Sequence, residues 1–348
     1  MTDDSVLFAR AGVGATITLN RPAALNALTL DMCLAMDEKL RQWAVDDSVR
    51  VVLIRQTGDR AFCAGGDIRK MAAEGPPYQL RFWFAEYRLN TLIKHYPKPF
   101  VALIDGIAMG GGVGVSAHGS HRVVSEHLRF AMPETDIGVF PDTGGSYVLS
   151  RMPGEVGMYL GLTGAHLGVA DALYCGYATH HVPKNRFSEL EAALTGGADV
   201  DDALRRVAQD AGPAPLARRR SSIDAAFAGD SVEVIMSALE ADPSAFARET
   251  RQGLEKKSPF SLKLTFRELR EARHLDFDDC MRMEWRMMSR IPDTHDFYEG
   301  VRALLIDKDK MPRWQPASLA GITKERIDRH FEPRAEGELL LDPAPVSA

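Results

Sequence analysis

Length, composition and charge exclude several classes of protein. A chain of 348 residues is longer than most single domains, so we expect one large domain with an appended part. A hydrophobic content of 45%, a charged content of 26% and a net charge of -6 are ordinary for a globular protein and give no general attraction to nucleic acid or anionic membranes, so the expected partner is a small molecule.

The first part of the chain predicts alternating strands and helices. Residues 15–20 alternate apolar and polar side chains, which is typical of a half-buried strand. Apolar residues then recur at helical spacing after Thr29, a predicted N-cap, and a β-branched apolar run follows at 49–54. This strand–helix–strand order predicts parallel pairing with the helix as the crossover. A further apolar run at 100–104 predicts the next strand.

Two glycine-rich loops are predicted near the ends of strands. The first contains Gly65 and Gly66, and the second, at 110–114, has glycine at four of its five positions. Glycine lets another group approach the main chain closely, and backbone N–H groups in such loops can form an oxyanion hole. Because ligands of α/β proteins bind at the carboxyl ends of strands, we expect Gly66 and Gly111 to face one crevice. The alternative is that both loops are ordinary tight turns.

Two acidic residues lie in neighbouring turns after the second loop. Glu134 and Asp142 are separated by Gly138 and Pro141, which suits a strand end followed by a returning loop. Such a pair can divide proton transfer between its members when burial or mutual repulsion raises one pKa. Next to two candidate oxyanion donors, the pair predicts acyl chemistry at a carbonyl group.

The rest of the chain is predicted to be mainly helical. Residues 81–95 form a predicted helix in which Glu86 is expected to face solvent, and another helical stretch covers 146–162. After a linker at 196–199 the strand signals almost vanish, and helices resume at Ser258, a predicted N-cap followed by proline. These signals divide the chain into a core at 1–197, a helical region at 198–333 and a flexible tail at 334–348.

Four other motifs point to functions that fit less well. Residues 112–117 match the dinucleotide fingerprint G-x-G-x-x-A, but these glycines do not directly follow the first strand of a fold. His118 and His121 could share a helix face but have no third zinc ligand nearby, and Ser116 lacks the G-x-S-x-G surroundings of a serine hydrolase. The arginines at 218–220 predict a solvated helix face rather than a nucleic-acid patch.

The cysteines and the N-terminal residues bear on the compartment. Cys33, Cys63, Cys175 and Cys280 form no Cys-x-x-Cys pair, so we expect reduced thiols and neither a disulfide scaffold nor a metal site. The first residues are acidic and lack the features of an export signal, and no apolar run reaches membrane-spanning length. The sequence therefore predicts a soluble, cytoplasmic protein.

Three motifs resemble those of the crotonase (enoyl-CoA hydratase/isomerase) superfamily and occur in the same order. They are Leu19-Asn20-Arg21-Pro22 with Asn26-Ala27-Leu28, Ala64-Gly65-Gly66-Asp67-Ile68, and Gly110-Gly111-Gly112. The resemblance implies an α/β fold, a crotonase-like ββα spiral with a C-terminal helical extension, that binds acyl-CoA. It implies that the N–H groups of Gly66 and Gly111 hold the thioester oxygen, and that the adenine end of coenzyme A lies against the backbone around Ala64, Asp67 and Ile68.

Within that superfamily, the sequence is similar to hydrolases of short 3-hydroxyacyl-CoA thioesters. The similarity includes a C-terminal block at 295–309 that ordinary hydratases lack. It implies that Glu134 and Asp142 are the catalytic acids and that Glu86 contacts the substrate hydroxyl. Coenzyme A is then part of the substrate, and no separate cofactor is expected. Family members commonly form trimers, and the extension could cover or replace that interface, so a homo-oligomer stays open.

One position departs from the hydratase pattern. Hydratases of the family place a glutamate two residues after the triple glycine, so that two glutamates hold the attacking water, and this position is Gly114 here. Thioester hydrolysis is therefore favoured, with Glu134 either activating water or attacking the carbonyl, and Asp142 positioning substrate or water or transferring protons. Two alternatives stay open, a hydratase or isomerase that uses one acid, and a CoA-binding scaffold without turnover.

Overall fold

The fold combines two small sheets with a large number of helices. The computed structural model of the protein describes residues 4–334 and 337–341. Its strands are Val6–Ala11 (β1), Gly14–Leu19 (β2), Val51–Gln56 (β3), Ala61–Cys63 (β4), Phe100–Ile104 (β5), Ile107–Met109 (β6), His121–Val124 (β7), Arg129–Ala131 (β8) and His180–His181 (β9).

The helices are distributed along the whole chain and become dominant after β9. They are Leu30–Ala44 (α1), Ile68–Glu74 (α2), Pro76–Lys94 (α3), Gly111–Gly114 (α4), Gly145–Ser150 (α5), Val156–Thr163 (α6), Val169–Tyr174 (α7), Phe187–Thr195 (α8), Val200–Val207 (α9), Arg220–Phe227 (α10), Val232–Ala241 (α11), Ala245–Leu254 (α12), Pro259–Ala272 (α13), Phe277–Met288 (α14), His295–Val301 (α15) and Lys324–Phe331 (α16).

The chain alternates between the two sheets. The larger sheet has the order β1-β2-β3-β5-β7-β9, and the smaller one has the order β4-β6-β8. β1 and β2 are antiparallel, and the other pairs of described strands are parallel. A strand of the larger sheet is therefore followed by a strand of the smaller one three times in succession, and the chain winds as a ββα spiral. The predicted α/β class is confirmed.

Several predicted elements are found at their expected places. β2 and β3 pair in parallel, and α1 is the crossover between them. Thr29 caps α1, because its side chain accepts a hydrogen bond from the Met32 N–H. The predicted helix at 146–162 is two helices, α5 and α6, with Pro153 between them, a residue that interrupts helical hydrogen bonding. The sequence pattern misses the three-residue strands of the smaller sheet, because so few residues show no periodicity.

The middle of the larger sheet is buried on both faces. Successive side chains of β3 point in opposite directions, so Val52 and Ile54 join the main hydrophobic core, whereas Val51 and Leu53 join a second cluster with residues of α8 and α9. A strand covered on both faces needs apolar residues at every position. This is why the segment at 49–54 is mostly apolar instead of alternating.

The C-terminal helices pack directly onto the segment at 134–142. Gly138 has a φ of +75°, and a side chain at this position would collide with the backbone of Asp296 at the start of α15. A side chain at Gly300, in the same helix, would collide with the backbone of Ile137. Glycine at both positions lets the two backbones touch. α15 therefore forms one wall behind the predicted acidic pair.

The domain boundary predicted at 197 lies between two helices that pack together. α8 and α9 lie on either side of the boundary predicted at 197 and pack in the same cluster under the larger sheet. The division into a core and a helical region stays a prediction. The predicted tail at 334–348 falls largely outside the described residues. In its described part, Leu339 is buried and Glu338 forms an ion pair with Arg286.

Candidate active site

A cavity of about 450 Å³ lies where the two glycine loops meet. All eight residues predicted for the site line this cavity, namely Glu134, Asp142, Gly66, Gly111, Glu86, Ala64, Asp67 and Ile68. They come from five separate segments of the spiral. The structure therefore brings the predicted residues together, while the role of each stays a prediction.

Two backbone N–H groups border this cavity without a protein acceptor. Leu28 pairs with the first loop, because its N–H donates to the Gly65 carbonyl at 2.9 Å and its carbonyl accepts from the Asp67 N–H at 2.8 Å. This pairing leaves out the N–H of Gly66. Gly111 is the first residue of α4, so its N–H has no partner within the helix. Over the described ranges, neither N–H donates a hydrogen bond to the protein.

The two glycine loops are in contact with each other. A Cβ atom placed on Gly65 would lie 3.7 Å from the Gly111 nitrogen. Gly65 has a φ of +108° and Gly110 a φ of +50°, values that side chains larger than hydrogen disfavour. Glycine is therefore needed at these positions for the backbone conformation, and the loops lie within van der Waals contact. This arrangement presents two donors to one small region of the cavity.

Asp142 is a buried acid held by a tyrosine. Its side chain accepts a hydrogen bond of 2.9 Å from the Tyr87 hydroxyl. Burial raises the pKa of Asp142 from 3.8 to about 7, and the hydrogen bond from Tyr87 partly offsets this rise. Asp142 therefore changes protonation state near neutral pH, which suits a group that exchanges protons during a reaction.

Glu134 faces the same cavity from a short 3₁₀ helix at Glu134–Asp136. Burial raises its pKa well above the usual value, and repulsion from Asp142 raises it further. Its Oε1 atom would lie 3.2 Å from a Cβ atom on Gly110, so it borders the second glycine loop. Its Oε2 atom has no hydrogen-bond partner within the described part of the chain. A carboxyl group with a free oxygen beside two free N–H groups can act on a bound carbonyl.

Glu86 is buried, and the prediction that it faces solvent was wrong. It lies on α3 with 2% of its surface exposed, because the helix is covered on this face by the core. Burial raises its pKa well above the usual value, and repulsion from Asp142 and Glu134 adds to the rise. Its Oε1 atom lies 2.2 Å from the position that a Cβ atom on Gly111 would take. No described group is hydrogen-bonded to this oxygen. Glu86 can therefore contact a polar group of a ligand at the second loop.

Aromatic and aliphatic side chains form the apolar wall of the cavity. Trp83 and Phe297 meet edge to face with ring centroids 6.0 Å apart, and Met288 lies beside them in the lining. Trp83 belongs to α3, whereas Met288 and Phe297 belong to α14 and α15. The C-terminal helices therefore complete a cavity whose polar groups come from the spiral.

Sequence reasoning missed two residues that hold Asp142 and the turn that follows it. From the sequence, Tyr87 is predicted only to be an apolar residue of the helix at 81–95. In the structure its hydroxyl donates a hydrogen bond to Asp142. Glu284 accepts hydrogen bonds from the residues just after Asp142. A signal for Glu284 is present in the sequence, because it is an acid four residues after Cys280 and four before Met288, both on the buried face of α14.

The other motifs do not assemble into sites. His121 lies on β7, so the idea that it shares a helix face with His118 was wrong. Ser116 donates to the Gly112 carbonyl at 2.7 Å. Within the ranges the structure describes, no group of three or more His, Cys, Asp or Glu side chains is placed to hold a metal ion. No helix of these ranges has the length and the apolar character needed to cross a membrane.

A ββα spiral with two glycine loops and buried acids at one cavity has the architecture of a crotonase-like fold. Residues 14–331 match the family model described as enoyl-CoA hydratase/isomerase, and the chain belongs to this family. The resemblance drawn from the three sequence motifs is thereby confirmed, and an acyl-CoA ligand fits the family.

Curated relatives match nearly the whole chain. The 3-hydroxyisobutyryl-CoA hydrolase, mitochondrial, of Danio rerio is 44% identical over 349 residues, which cover 97% of this chain and 91% of the relative. The protein of the same name from Homo sapiens is 40% identical and is matched over 97% of this chain and 90% of its own length. The similarity therefore includes the C-terminal helices as well as the spiral.

Solved structures show the same fold under different names. A carnitinyl-CoA dehydratase from Mycobacterium thermoresistibile has a TM-score of 0.93 and 42% identity, covering 98% of this chain and 99% of its own. An enoyl-CoA hydratase from Rhodobacter sphaeroides 2.4.1 has a TM-score of 0.92 and 38% identity, covering 97% of this chain and 100% of its own. Both confirm the fold with its C-terminal helices.

The predicted cytoplasmic location was wrong by comparison with these relatives. The curated hydrolases from Danio rerio, Xenopus laevis and Homo sapiens are all named as mitochondrial proteins. The prediction rested on reduced cysteines and on the lack of an export signal. Neither observation distinguishes the cytosol from the interior of a mitochondrion.

Proposed function

We propose that the chain hydrolyses 3-hydroxyisobutyryl-CoA to 3-hydroxyisobutyrate and coenzyme A. The proposal is supported by relatives of that name at 40–44% identity over nearly the whole chain. It is also supported by a cavity that combines two free N–H groups with buried acids. This activity would place the chain in valine degradation. Because the similar solved structures carry hydratase and dehydratase names, the choice between hydrolysis and hydration needs a further observation.

The surroundings of Gly114 supply that observation. Hydratases of the family carry their second glutamate at this position. Here a Cβ atom on Gly114 would lie 2.8 Å from Asn90 Nδ2 and 2.8 Å from Thr143 Cβ, distances that real side chains do not show. A glutamate at this position would therefore force the Asn90 and Thr143 side chains to move. The glutamate with which hydratases of the family hold water for addition to a double bond is therefore missing from this position, which favours hydrolysis.

The proposed mechanism uses backbone donors and the two acids. The N–H groups of Gly66 and Gly111 bind the thioester oxygen and stabilise the charge that develops on it. In its ionised form, Glu134 either activates water or attacks the carbonyl carbon, and the C–S bond breaks. In the second route water then hydrolyses the anhydride formed with Glu134, and in both routes the thiolate of coenzyme A takes up a proton. Asp142 positions the substrate or water, or transfers that proton.

The rest of the substrate would occupy the remaining cavity lining. In this proposal Glu86 contacts the 3-hydroxyl group, and the backbone around Ala64, Asp67 and Ile68 contacts the adenine end of coenzyme A. The chemistry needs no metal and no separate cofactor, and this expectation stays a prediction. A homo-oligomer also stays a prediction from the family resemblance, and sedimentation of the purified chain tests it.

Thiol release from 3-hydroxyisobutyryl-CoA tests the proposal. We expect the purified chain to release free coenzyme A, and Glu134→Gln to reduce turnover by about 10³-fold or more while coenzyme A still binds, because the group acting on the carbonyl is lost. Asp142→Asn is expected to reduce turnover by about 10²-fold, the usual loss when a general acid or base is removed.

The alternatives predict different signals in the same assay. A hydratase removes the enoyl absorbance of crotonyl-CoA and releases no thiol. A CoA-binding scaffold binds coenzyme A and gives neither signal. Absence of thiol release above background with 3-hydroxyisobutyryl-CoA contradicts the proposed function.

Labelled water separates the two routes open to Glu134. In a single turnover in H₂¹⁸O, label found in the Glu134 carboxyl group supports attack by Glu134 and a transient anhydride. Label found only in the 3-hydroxyisobutyrate product supports attack of water at the substrate carbonyl. Peptide mass spectrometry of the enzyme and of the product measures both.

A further inference from the structure

Glu284 reaches from a C-terminal helix into the turn that follows Asp142. It lies on α14 with 0% of its surface exposed. Its Oε2 atom accepts a hydrogen bond of 2.7 Å from the Gly144 N–H. Its Oε1 atom accepts bonds of 3.1 Å from the Ser146 N–H and 2.5 Å from the Ser146 hydroxyl. One buried side chain therefore satisfies three donors of a turn that begins at a predicted catalytic acid.

The turn held by Glu284 has a backbone that needs outside support. Thr143 has a φ of +59° and Gly144 a φ of +79°, both in the left-handed region. A β-branched residue such as threonine rarely adopts this conformation, and it persists only where the surroundings enforce it. The turn is therefore a place where a lost hydrogen bond allows the chain to relax and move Asp142.

His118 supports the same turn through a second contact. Its Nε2 atom lies 2.7 Å from the Thr143 carbonyl oxygen. Because a carbonyl oxygen only accepts, Nε2 carries the proton in this contact. Burial lowers the pKa of His118 to about 4, so the ring is neutral at neutral pH and the contact is an ordinary hydrogen bond. Glu284 bonds to both Gly144 and Ser146, whereas His118 bonds to the carbonyl of Thr143.

Several titratable groups face Glu284 from the elements packed around it. They are Asp142, Glu268 on α13, Tyr87 on α3 and Cys280 on α14 itself. Burial raises the pKa of Glu284 to about 8, and the hydrogen bonds from Ser146 and Gly144 partly offset this. Three donors converge on its two oxygens, and a carboxyl group can accept at both atoms whether it is ionised or protonated.

Glu268 provides an internal comparison, because it is buried in the same region without these bonds. It also has 0% of its surface exposed, and burial raises its pKa well above the usual value. Neither of its carboxyl oxygens has a hydrogen-bond partner among the described residues. A buried carboxyl group without a partner is held neutral. Glu284 and Glu268 are therefore both buried in the same region, but only Glu284 forms hydrogen bonds with the turn after Asp142 among the described residues.

We propose that Glu284 is a positioning residue for the reaction, because its three hydrogen bonds fix the turn at 142–146 and thereby hold the Asp142 carboxyl group on Tyr87 at the cavity. The kinetic part of this inference rests on the proposed function, whereas the structural part does not. Glu284 does not line the cavity, and it acts through Thr143 and Gly144, the two residues that follow Asp142.

The substitution Glu284→Gln tests the inference with little change in shape. The amide places an NH₂ group where one carboxyl oxygen accepted, so this group faces an N–H or O–H donor and at least one hydrogen bond is lost. We expect kcat for 3-hydroxyisobutyryl-CoA to fall about 10- to 100-fold, the usual loss when a reacting group is displaced by about 1 Å. KM should stay within about twofold, because the groups proposed to contact coenzyme A come from the first glycine loop and not from the turn at 142–146.

The matched control is Glu268→Gln, the same substitution at the other buried glutamate. An amide replaces a neutral carboxyl group there, and no bond to the turn is lost, so kcat should stay within about threefold of the unsubstituted protein. The stoichiometry of coenzyme A binding, measured by calorimetry, counts the folded sites in each variant. A fall in kcat with unchanged stoichiometry excludes partial unfolding as its cause.

Hydrogen exchange provides a measurement that does not depend on activity. Peptides covering 142–150 should exchange at least tenfold faster in Glu284→Gln than in the unsubstituted protein or in Glu268→Gln, while peptides covering 61–68 should not change. If the unsubstituted protein releases no thiol, the proposed function fails and the exchange result still decides whether Glu284 holds the turn. Unchanged exchange at 142–150, or a kcat within twofold of the unsubstituted protein, overturns the inference. An equal loss of kcat in both variants also overturns it, since that indicates a general role in the core.

Discussion

The pKa and the position of the Asp142 carboxyl group depend on residues that are distant in the sequence. Its hydrogen-bond donor Tyr87 lies 55 residues earlier, and Glu284, which holds the following turn, lies in the last third of the chain. The spacing of Glu134 and Asp142 predicts an acidic pair, because that signal is local. The partners could not be predicted, because nothing in a local pattern tells which tyrosine or glutamate of a helix faces the pair.

Tyr87→Phe should shift the pH dependence of turnover. The hydrogen bond from Tyr87 lowers the pKa of Asp142, so removing the hydroxyl raises that pKa above its value of about 7. A hydrogen bond to a charged group stabilises it by about 1.5–3 kcal/mol, which corresponds to a shift of about one to two pH units. The limb of the kcat profile that reflects Asp142 should therefore move to higher pH.

The control for this prediction is Tyr96→Phe. The Tyr96 hydroxyl donates to the Leu40 carbonyl, away from the cavity, so this variant should keep the profile of the unsubstituted protein. A profile that does not move in Tyr87→Phe contradicts the assignment of that limb to Asp142.

The elements that carry the donors are short, and glycine decides their geometry. α4 begins at Gly111 and packs so closely on β4 that the carbonyl of Cys63 occupies the place of a side chain on Gly112. The sequence predicts that the two glycine loops meet, because both follow strands of the same spiral. It does not show which glycines are needed for packing and which for access to the N–H groups, because that distinction depends on neighbours from another strand.

Gly112→Ala should destabilise the protein. The added methyl group meets the Cys63 carbonyl and lies 2.9 Å from the Cys63 Cβ atom, and backbone cannot move aside as the end of a flexible side chain can. Overpacking of this kind costs about 1–3 kcal/mol in the free energy of unfolding. Urea denaturation measures the change.

Gly253→Ala is the matched control for this prediction. Gly253 lies in α12, and an added Cβ atom there meets nothing within 4 Å. Alanine should stabilise this helix by about 0.5–1 kcal/mol because it restricts the unfolded chain more than glycine does. Equal effects of the two substitutions would mean that the contact with Cys63 does not constrain α4.

At the scale of the whole molecule, several buried acids make stability depend on pH. Burial raises the pKa of Asp142 from 3.8 to about 7, and that of Glu284 from 4.5 to about 8. The folded state therefore keeps protons that the unfolded chain has already lost. The stability contributed by Asp142 is fully present below about pH 4 and is lost as the pH rises through about 7.

Asp142→Asn should flatten this dependence. An asparagine does not titrate, so the variant lacks the loss of stability that Asp142 causes. Between pH 5 and pH 8 the free energy of unfolding of the unsubstituted protein should fall by about 2–3 kcal/mol more than that of the variant, at about 1.4 kcal/mol per pH unit. Denaturation at several pH values measures both. Asp59→Asn, in an exposed turn, is the control and should behave like the unsubstituted protein.

The sequence predicts the strands and helices of the spiral better than it predicts the packing of the C-terminal helices against the spiral. Parallel strands, the first crossover helix and the cap at Ser258 follow from local patterns and are found as predicted. The contacts of Gly138 with Asp296 and of Gly300 with Ile137 join segments more than 150 residues apart. Long-range contacts of this kind leave no periodic signal, so the role of the C-terminal helices in the cavity could not be predicted from pattern alone.

The packing of α15 against the segment at 137–138 has a consequence for the order in which the protein is made. A ribosome releases the strands of both sheets well before Glu284, Phe297 and Gly300 emerge. Folding of the early part can begin during synthesis. However, α15 can pack behind Glu134 and Asp142 only after the last of these residues has left the ribosome. A nascent or truncated chain can therefore contain a folded sheet and every predicted catalytic residue, and still lack a working site.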